Sequence, residues 1–123
     1  MSAAVAFLEP LPGLAPHVDF ELAPVDGAEG LFALRAVADG GPRIFLVDPR
    51  TVLEDYAPTL SDEQSSQLAL ASADEALLLV VANPASDGVH VNLLAPVVVN
   101  TATGTAAQVI LEGQDYPIRA RLG

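Results

Sequence analysis

The chain has 123 residues, enough for one hydrophobic core and too few for two ordinary domains, so it is read as a single domain spanning 1–123. Sixteen acids against five bases give a formal net charge of −11, a balance that counts against direct nucleic-acid binding and against docking on an anionic membrane. The absence of Cys excludes disulfides, thiolate zinc sites and cysteine nucleophiles, and the absence of Lys excludes a Schiff-base or phosphate-loop lysine.

The N-terminal stretch has no basic residue and is cut short by Glu9 and Pro10, unlike a signal peptide. The longest purely apolar run, Ala76 to Ala82, has seven residues, against roughly 20 for a membrane-spanning helix. A cytoplasmic protein is the expectation.

Pro and Gly punctuate the chain at short intervals, and the apolar runs between them suit an antiparallel β protein. Ala4 to Leu8 is the first strand, stopped by Pro10, Pro12 and Gly13. In His17 to Leu22, Val18, Phe20 and Leu22 share one face, and His17, Asp19 and Glu21 the other. Leu31 to Val37 and Ile44 to Val47 are strands joined through Asp39-Gly40-Gly41. Thr51 to Pro58 is irregular. Ser61 with Gln64 fits a capping box, with Asp62 and Glu63 at the positive end of the dipole, and predicts a helix to about Ala71.

Ala76 to Ala82 reads as a strand buried on both faces. Asn83-Pro84 and Asp87-Gly88 bracket a turn, and Val89 to Leu94 returns. Ala95-Pro96 breaks the ladder, Val97 to Val99 continues it, and Ala106 to Glu112 is a further strand. The pattern predicts a mainly β fold: a small antiparallel, partly closed barrel of seven to nine strands with one short inserted helix.

No arrangement of residues specifies a reaction. His17, Asp19 and Glu21 are ligand types on one strand face, but residues two apart lie about 6.5–7 Å apart and converge poorly on one ion. A solvated strand face explains them as well. His90 has no nucleophile or acid partner near it in sequence, and Ser61 is used by the helix cap. No catalytic residue, metal site or cofactor is expected.

Charge distribution says more. From Thr51 to Ile118 there is no cation, and nine acids fall in that stretch. Six of them, Glu54, Asp55, Asp62, Glu63, Asp74 and Glu75, lie within 22 residues around the helix. Such a region focuses negative potential and speeds encounter with a basic partner, although plain solubility also favours it.

Six motifs in order are similar to those of the FliW family. They are Leu11-Pro12-Gly13-Leu14; Phe45-Leu46-Val47-Asp48-Pro49; Asp55-Tyr56 followed by Leu60-Ser61-Asp62-Glu63; the segment from Asn92 to Asn100; Gln108-Val109-Ile110-Leu111; and Tyr116-Pro117-Ile118-Arg119. The Asn92–Asn100 segment is the most specific. Leu14 departs from the family's usual Phe, and Leu34-Arg35-Ala36 stands where Leu-Gln-Ser is common.

The resemblance implies a non-enzymatic flagellar assembly factor. Such a protein binds flagellin in the cytoplasm and, once flagellin is exported, captures the translational repressor CsrA and so relieves repression of flagellin synthesis. The acidic stretch from Glu54 to Glu75 is the expected meeting place for a basic RNA-binding protein. Glu63→Arg with Glu75→Arg is then predicted to weaken CsrA binding. An apolar dock for flagellin's amphipathic helices is expected near Phe32, Leu34 and Tyr56. Two other readings remain open on the residues alone: a flagellin chaperone without CsrA, and a small-ligand or metal-binding barrel using the histidines.

Overall fold

A computed structural model describes residues 3–51, 56–111 and 113–122. Among the described residues, nine strands form one sheet: β1 (Ala3–Phe7), β2 (Asp19–Pro24), β3 (Leu31–Ala36), β4 (Arg43–Val47), β5 (Ala76–Ala85), β6 (Gly88–Val91), β7 (Val97–Asn100), β8 (Thr105–Gln108) and β9 (Ala120–Leu122). One helix, α1 (Asp62–Gln67), and two 3-10 turns, Pro49–Thr51 and Ala73–Glu75, lie between β4 and β5.

The strands run β4-β3-β2-β1-β8-β7-β5, and β5 pairs back onto β4, so seven strands close a barrel. Strands β6 and β9 extend the sheet from β5 as a flap. All pairings are antiparallel but one: β1 and β8 run parallel, with Ala6 opposite Thr105 and Phe7 opposite Ala106. The barrel is therefore mixed rather than purely antiparallel. Gly104 makes this seam possible. A Cβ there would stand 2.9 Å from the Ala4 carbonyl oxygen, and its φ of +81° suits glycine.

Alternation decides what fills the barrel. Val5, Phe7, Phe20, Leu22, Leu34, Ala36, Leu46, Leu79, Val97, Val99 and Ala106 point inward as one cluster, with Phe7 edge-on to Phe20 at 5.5 Å. A second cluster, including Val47, Tyr56, Val80, Val91 and Leu93, packs beneath the flap. A third, Leu68, Val98, Val109 and Leu111, lies under α1. Strands β5 and β7 are thus covered on both faces, and for that reason Ala76–Ala82 and Val97–Val99 are apolar without alternation.

The structure also differs from the sequence expectation in several element bounds, most clearly at three places. First, the helix ends at Gln67, not near Ala71. Ala69 takes a left-handed conformation with φ of 53°, and the Leu70 and Ala69 amides donate to the Ser65 and Ser66 carbonyls, which closes the helix in a Schellman motif. Second, β5 continues through Pro84, which pairs with Val89, so only Ser86 and Asp87 form the turn. Third, the polar C-terminal tail supplies a strand, β9, paired with β6.

Candidate protein-binding surface

The acidic face is built on α1 and the turn before β5. The capping box is complete: the Gln64 amide donates to Ser61 Oγ at 3.1 Å, and the Ser61 amide donates to Gln64 Oε1 at 2.9 Å. Asp62 and Glu63 stand exposed in the first turn, and Asp74 is exposed in the 3-10 turn. Glu75 is different. It is partly buried, its carboxylate accepts from the Ala71 amide at 2.7 Å, and its carbonyl accepts from the Thr101 amide at 2.8 Å and the Thr101 hydroxyl at 3.0 Å. Its charge is tied to the fold rather than offered to a partner. Glu54 and Asp55 lie outside the described residues.

The expected apolar dock is not assembled. Phe32 and Leu34 share the face of β3 that turns into the barrel, and Leu34 is only 1% exposed. Tyr56 belongs to the cluster beneath the flap, where its hydroxyl donates to the Leu93 carbonyl at 2.6 Å and its ring packs against Tyr116 at 4.8 Å. Burial, with a smaller contribution from Tyr116, pushes its pKa up to about 12. The three side chains therefore sit in two different cores and present no common groove.

The histidines and carboxylates do not converge either. Glu21 pairs with Arg35 at 3.3 Å across β2 and β3, and among the described residues no three His, Asp or Glu side chains group to hold a metal. His90 lines a groove of about 370 Å³ without His17, and its Nε2 lies 2.9 Å from the Asp87 carboxylate. This contact holds Asp87 below the usual carboxylate range. A cleft of about 360 Å³ beside α1 is edged by Thr59, Ser61, Gln64 and Gln114, but their polar groups bond to one another or to the backbone. Among the described residues no helix is long and apolar enough to cross a membrane.

One segment gathers several others. Asn92 Oδ1 accepts from the Leu94 and Ala95 amides at 3.1 and 3.0 Å. The Leu93 carbonyl takes the Tyr56 hydroxyl, and the Leu93 amide donates to the Pro117 carbonyl at 3.1 Å. The Leu94 and Pro96 carbonyls accept from the Leu111 and Val109 amides, and the Ala95 carbonyl from Gln108 Nε2. At the far end Asn100 Nδ2 donates to the Leu68 carbonyl at 2.8 Å and to that of Ala69 at 3.3 Å, while its Oδ1 accepts from the Ala102 amide at 2.9 Å. Asn92–Asn100 is thus the hub where Tyr56, Gln108–Leu111 and Tyr116-Pro117 meet.

Comparison with known proteins gives the same grouping. A family model described as "FliW protein" matches residues 1–122. The chain belongs to the FliW family. It is 26% identical over 117 residues to the flagellar assembly factor FliW of Clostridium kluyveri, covering 94% of this chain and 81% of that protein. It is 31% identical over 127 residues to the flagellar assembly factor FliW of Azoarcus sp., covering 95% and 87%. A crystal structure of the flagellar assembly factor FliW superposes with a TM-score of 0.86 at 26% identity, covering 96% of this chain and 84% of that one. The motifs quoted above from this FliW-family chain are mainly ones that hydrogen-bond its own backbone and fill its own cores.

Proposed function

We propose that the protein is a non-enzymatic flagellar assembly factor that binds flagellin in the cytoplasm and antagonises CsrA by exchanging one partner for the other. The observation that supports this most is the match to the FliW family over nearly the whole chain, with the Asn92–Asn100 hub intact. A partner switch needs only competing binding free energies, and a rigid barrel with charged outer faces is suited to that. CsrA, being an RNA-binding protein, would meet the acidic face at Asp62, Glu63 and Asp74, with Glu54 and Asp55 as further candidates.

The test is a pull-down from cells expressing flagellin, with this chain as bait, read by mass spectrometry. Flagellin with CsrA is the expected catch. Flagellin without CsrA, from cells that contain CsrA, would leave a flagellin chaperone; recovery of neither would overturn the proposal. Glu63→Arg with Asp74→Arg is the better charge-reversal pair, because Glu75 holds its own turn together. It should weaken CsrA capture and lower its salt sensitivity.

A further inference from the structure

The cations are as informative as the acids, because there are only five of them. Three are engaged: Arg35 with Glu21, Arg50 with Asp48 at 3.0 Å, and Arg43 over the Phe45 ring at 5.2 Å. The other two, Arg119 and Arg121, are exposed and make no ion pair among the described residues. Arg121 lies in the flap and Arg119 just before it. Arg121 lies on β9 opposite His90, with its guanidinium arm over Gly88, where an added Cβ would come within 3.4 Å of Nε. Arg119 edges the groove that Asn83, His90 and Asn92 line, together with Ile118, an isoleucine 66% exposed.

Two further features mark this face as unfinished. Strand β9 pairs with β6 on one side and, among the described residues, with no strand on the other, so its backbone presents an open edge. Beside it, His90 is 9% exposed, and its Nδ1 is buried without a hydrogen-bond partner. Asp87, the carboxylate at the adjoining turn, is already bonded to His90 and does not neutralise either arginine.

We propose that the open edge of β9 is a docking surface for an extended, carboxylate-bearing segment of a partner protein. The segment adds as a strand, Arg119 and Arg121 swing outward from over the β5–β6 side to meet its carboxylates, and an apolar side chain covers Ile118. Acidic side chains at alternate positions of such a strand fall on one face, about 6.5–7 Å apart, so that two of them are available to the two arginines. The net charge of −11 opposes an acidic visitor at long range, but at physiological ionic strength charges are screened within about 8 Å. The local arginines then outweigh acids elsewhere on the barrel. This surface is distinct in sign and in place from the acidic face of α1, and it does not depend on the identity of either partner proposed above.

The test uses two synthetic peptides of about eight residues, one alternating Glu and Val, the other Lys and Val. Each is titrated into the isotope-labelled protein and followed by amide NMR. The Glu/Val peptide should shift the resonances of Val89–Val91 and Ile118–Arg121. Arg119→Glu with Arg121→Glu should weaken it about tenfold or more, and Arg119→Gln with Arg121→Gln by less, with unchanged spectra elsewhere showing that the variants fold. Shifts confined to α1, equal binding of the two peptides at β9, no binding, or binding unaffected by charge reversal would each overturn the proposal.

Discussion

The side-chain amide of Asn100, on β7, donates to the carbonyl of Leu68 at the end of α1, 32 residues away, at 2.8 Å. It also reaches the Ala69 carbonyl, so one barrel residue satisfies the C-cap carbonyl and the one just past the helix. The short helix is held by the barrel, and Asn100 is 0% exposed.

Removing this amide should be costly. Asn100→Ala is expected to lower unfolding free energy by about 2–4 kcal/mol, because buried carbonyls are left unpaired and a cavity opens. Urea denaturation measures this, and a loss under about 1 kcal/mol would show that water replaces the amide.

Ala69 offers the opposite change. Its left-handed φ of 53° strains a side chain that is exposed and makes no core contact. Ala69→Gly should stabilise the protein by about 0.5–1 kcal/mol, the relief of the left-handed Cβ being partly offset by glycine's freedom in the unfolded chain. A thermal melt should show Tm rising.

Tyr56 should make the fold sensitive to strong base. Its folded pKa of about 12 lies above the ordinary value for a tyrosine, so the folded state holds the phenol proton more tightly than the unfolded state. Stability is unaffected below about pH 10 and falls as pH rises from there toward 12. Tyr56→Phe should remove that slope while costing about 1 kcal/mol at neutral pH through the lost bond to Leu93. Denaturant titrations at a series of alkaline pH values compare the two proteins.

Asp48 should act at the acid end. Its carboxylate accepts from the Arg50 amide at 3.0 Å, from Nε at 3.2 Å and from Nη2 at 3.0 Å, and the arginine side chain is the main reason its pKa lies below 3.8. A carboxylate with a lowered folded pKa stabilises above its unfolded value, and that contribution is lost as pH falls through the folded value. Asp48→Asn should therefore flatten part of the acid-unfolding curve below about pH 4. A curve parallel to the parent's would show that other carboxylates carry the acid response.

The strands were legible because their chemistry is local. Alternation placed Phe20 and Leu22 on one face, and an unbroken apolar run marked β5 as covered on both sides. The start of the helix was legible in Ser61 and Gln64 for the same reason. Its end was not, since Asn100 sets it from a distant strand. Strand β9 escaped because Ala120, Arg121 and Leu122 are too few to show a period, and Pro84 misled because proline more often ends a strand than continues one. For the binding surface, counting acids found the charged region, but only the structure separates Asp62 and Glu63, which are free to meet a partner, from Glu75, which is bonded to Ala71. Phe32 and Leu34 were expected near a dock, yet nothing in a sequence says whether the face of β3 that they share looks into the barrel or out of it.

The parallel seam between β1 and β8 has a bearing on how the chain is made. Synthesis proceeds from the N-terminus, so the β1–β4 meander leaves the ribosome long before Thr105 and Ala106, the residues that complete the ring. Until they emerge, β1 carries a row of unanswered backbone donors and acceptors that invites pairing with any neighbouring strand. Closing a loop of about 100 residues is also a slow step. The nascent protein is thus most vulnerable to aggregation in the interval before Thr105 and Ala106 are translated, and exposed Ala3, Ala4 and Ala6 in β1 keep that waiting edge only weakly apolar.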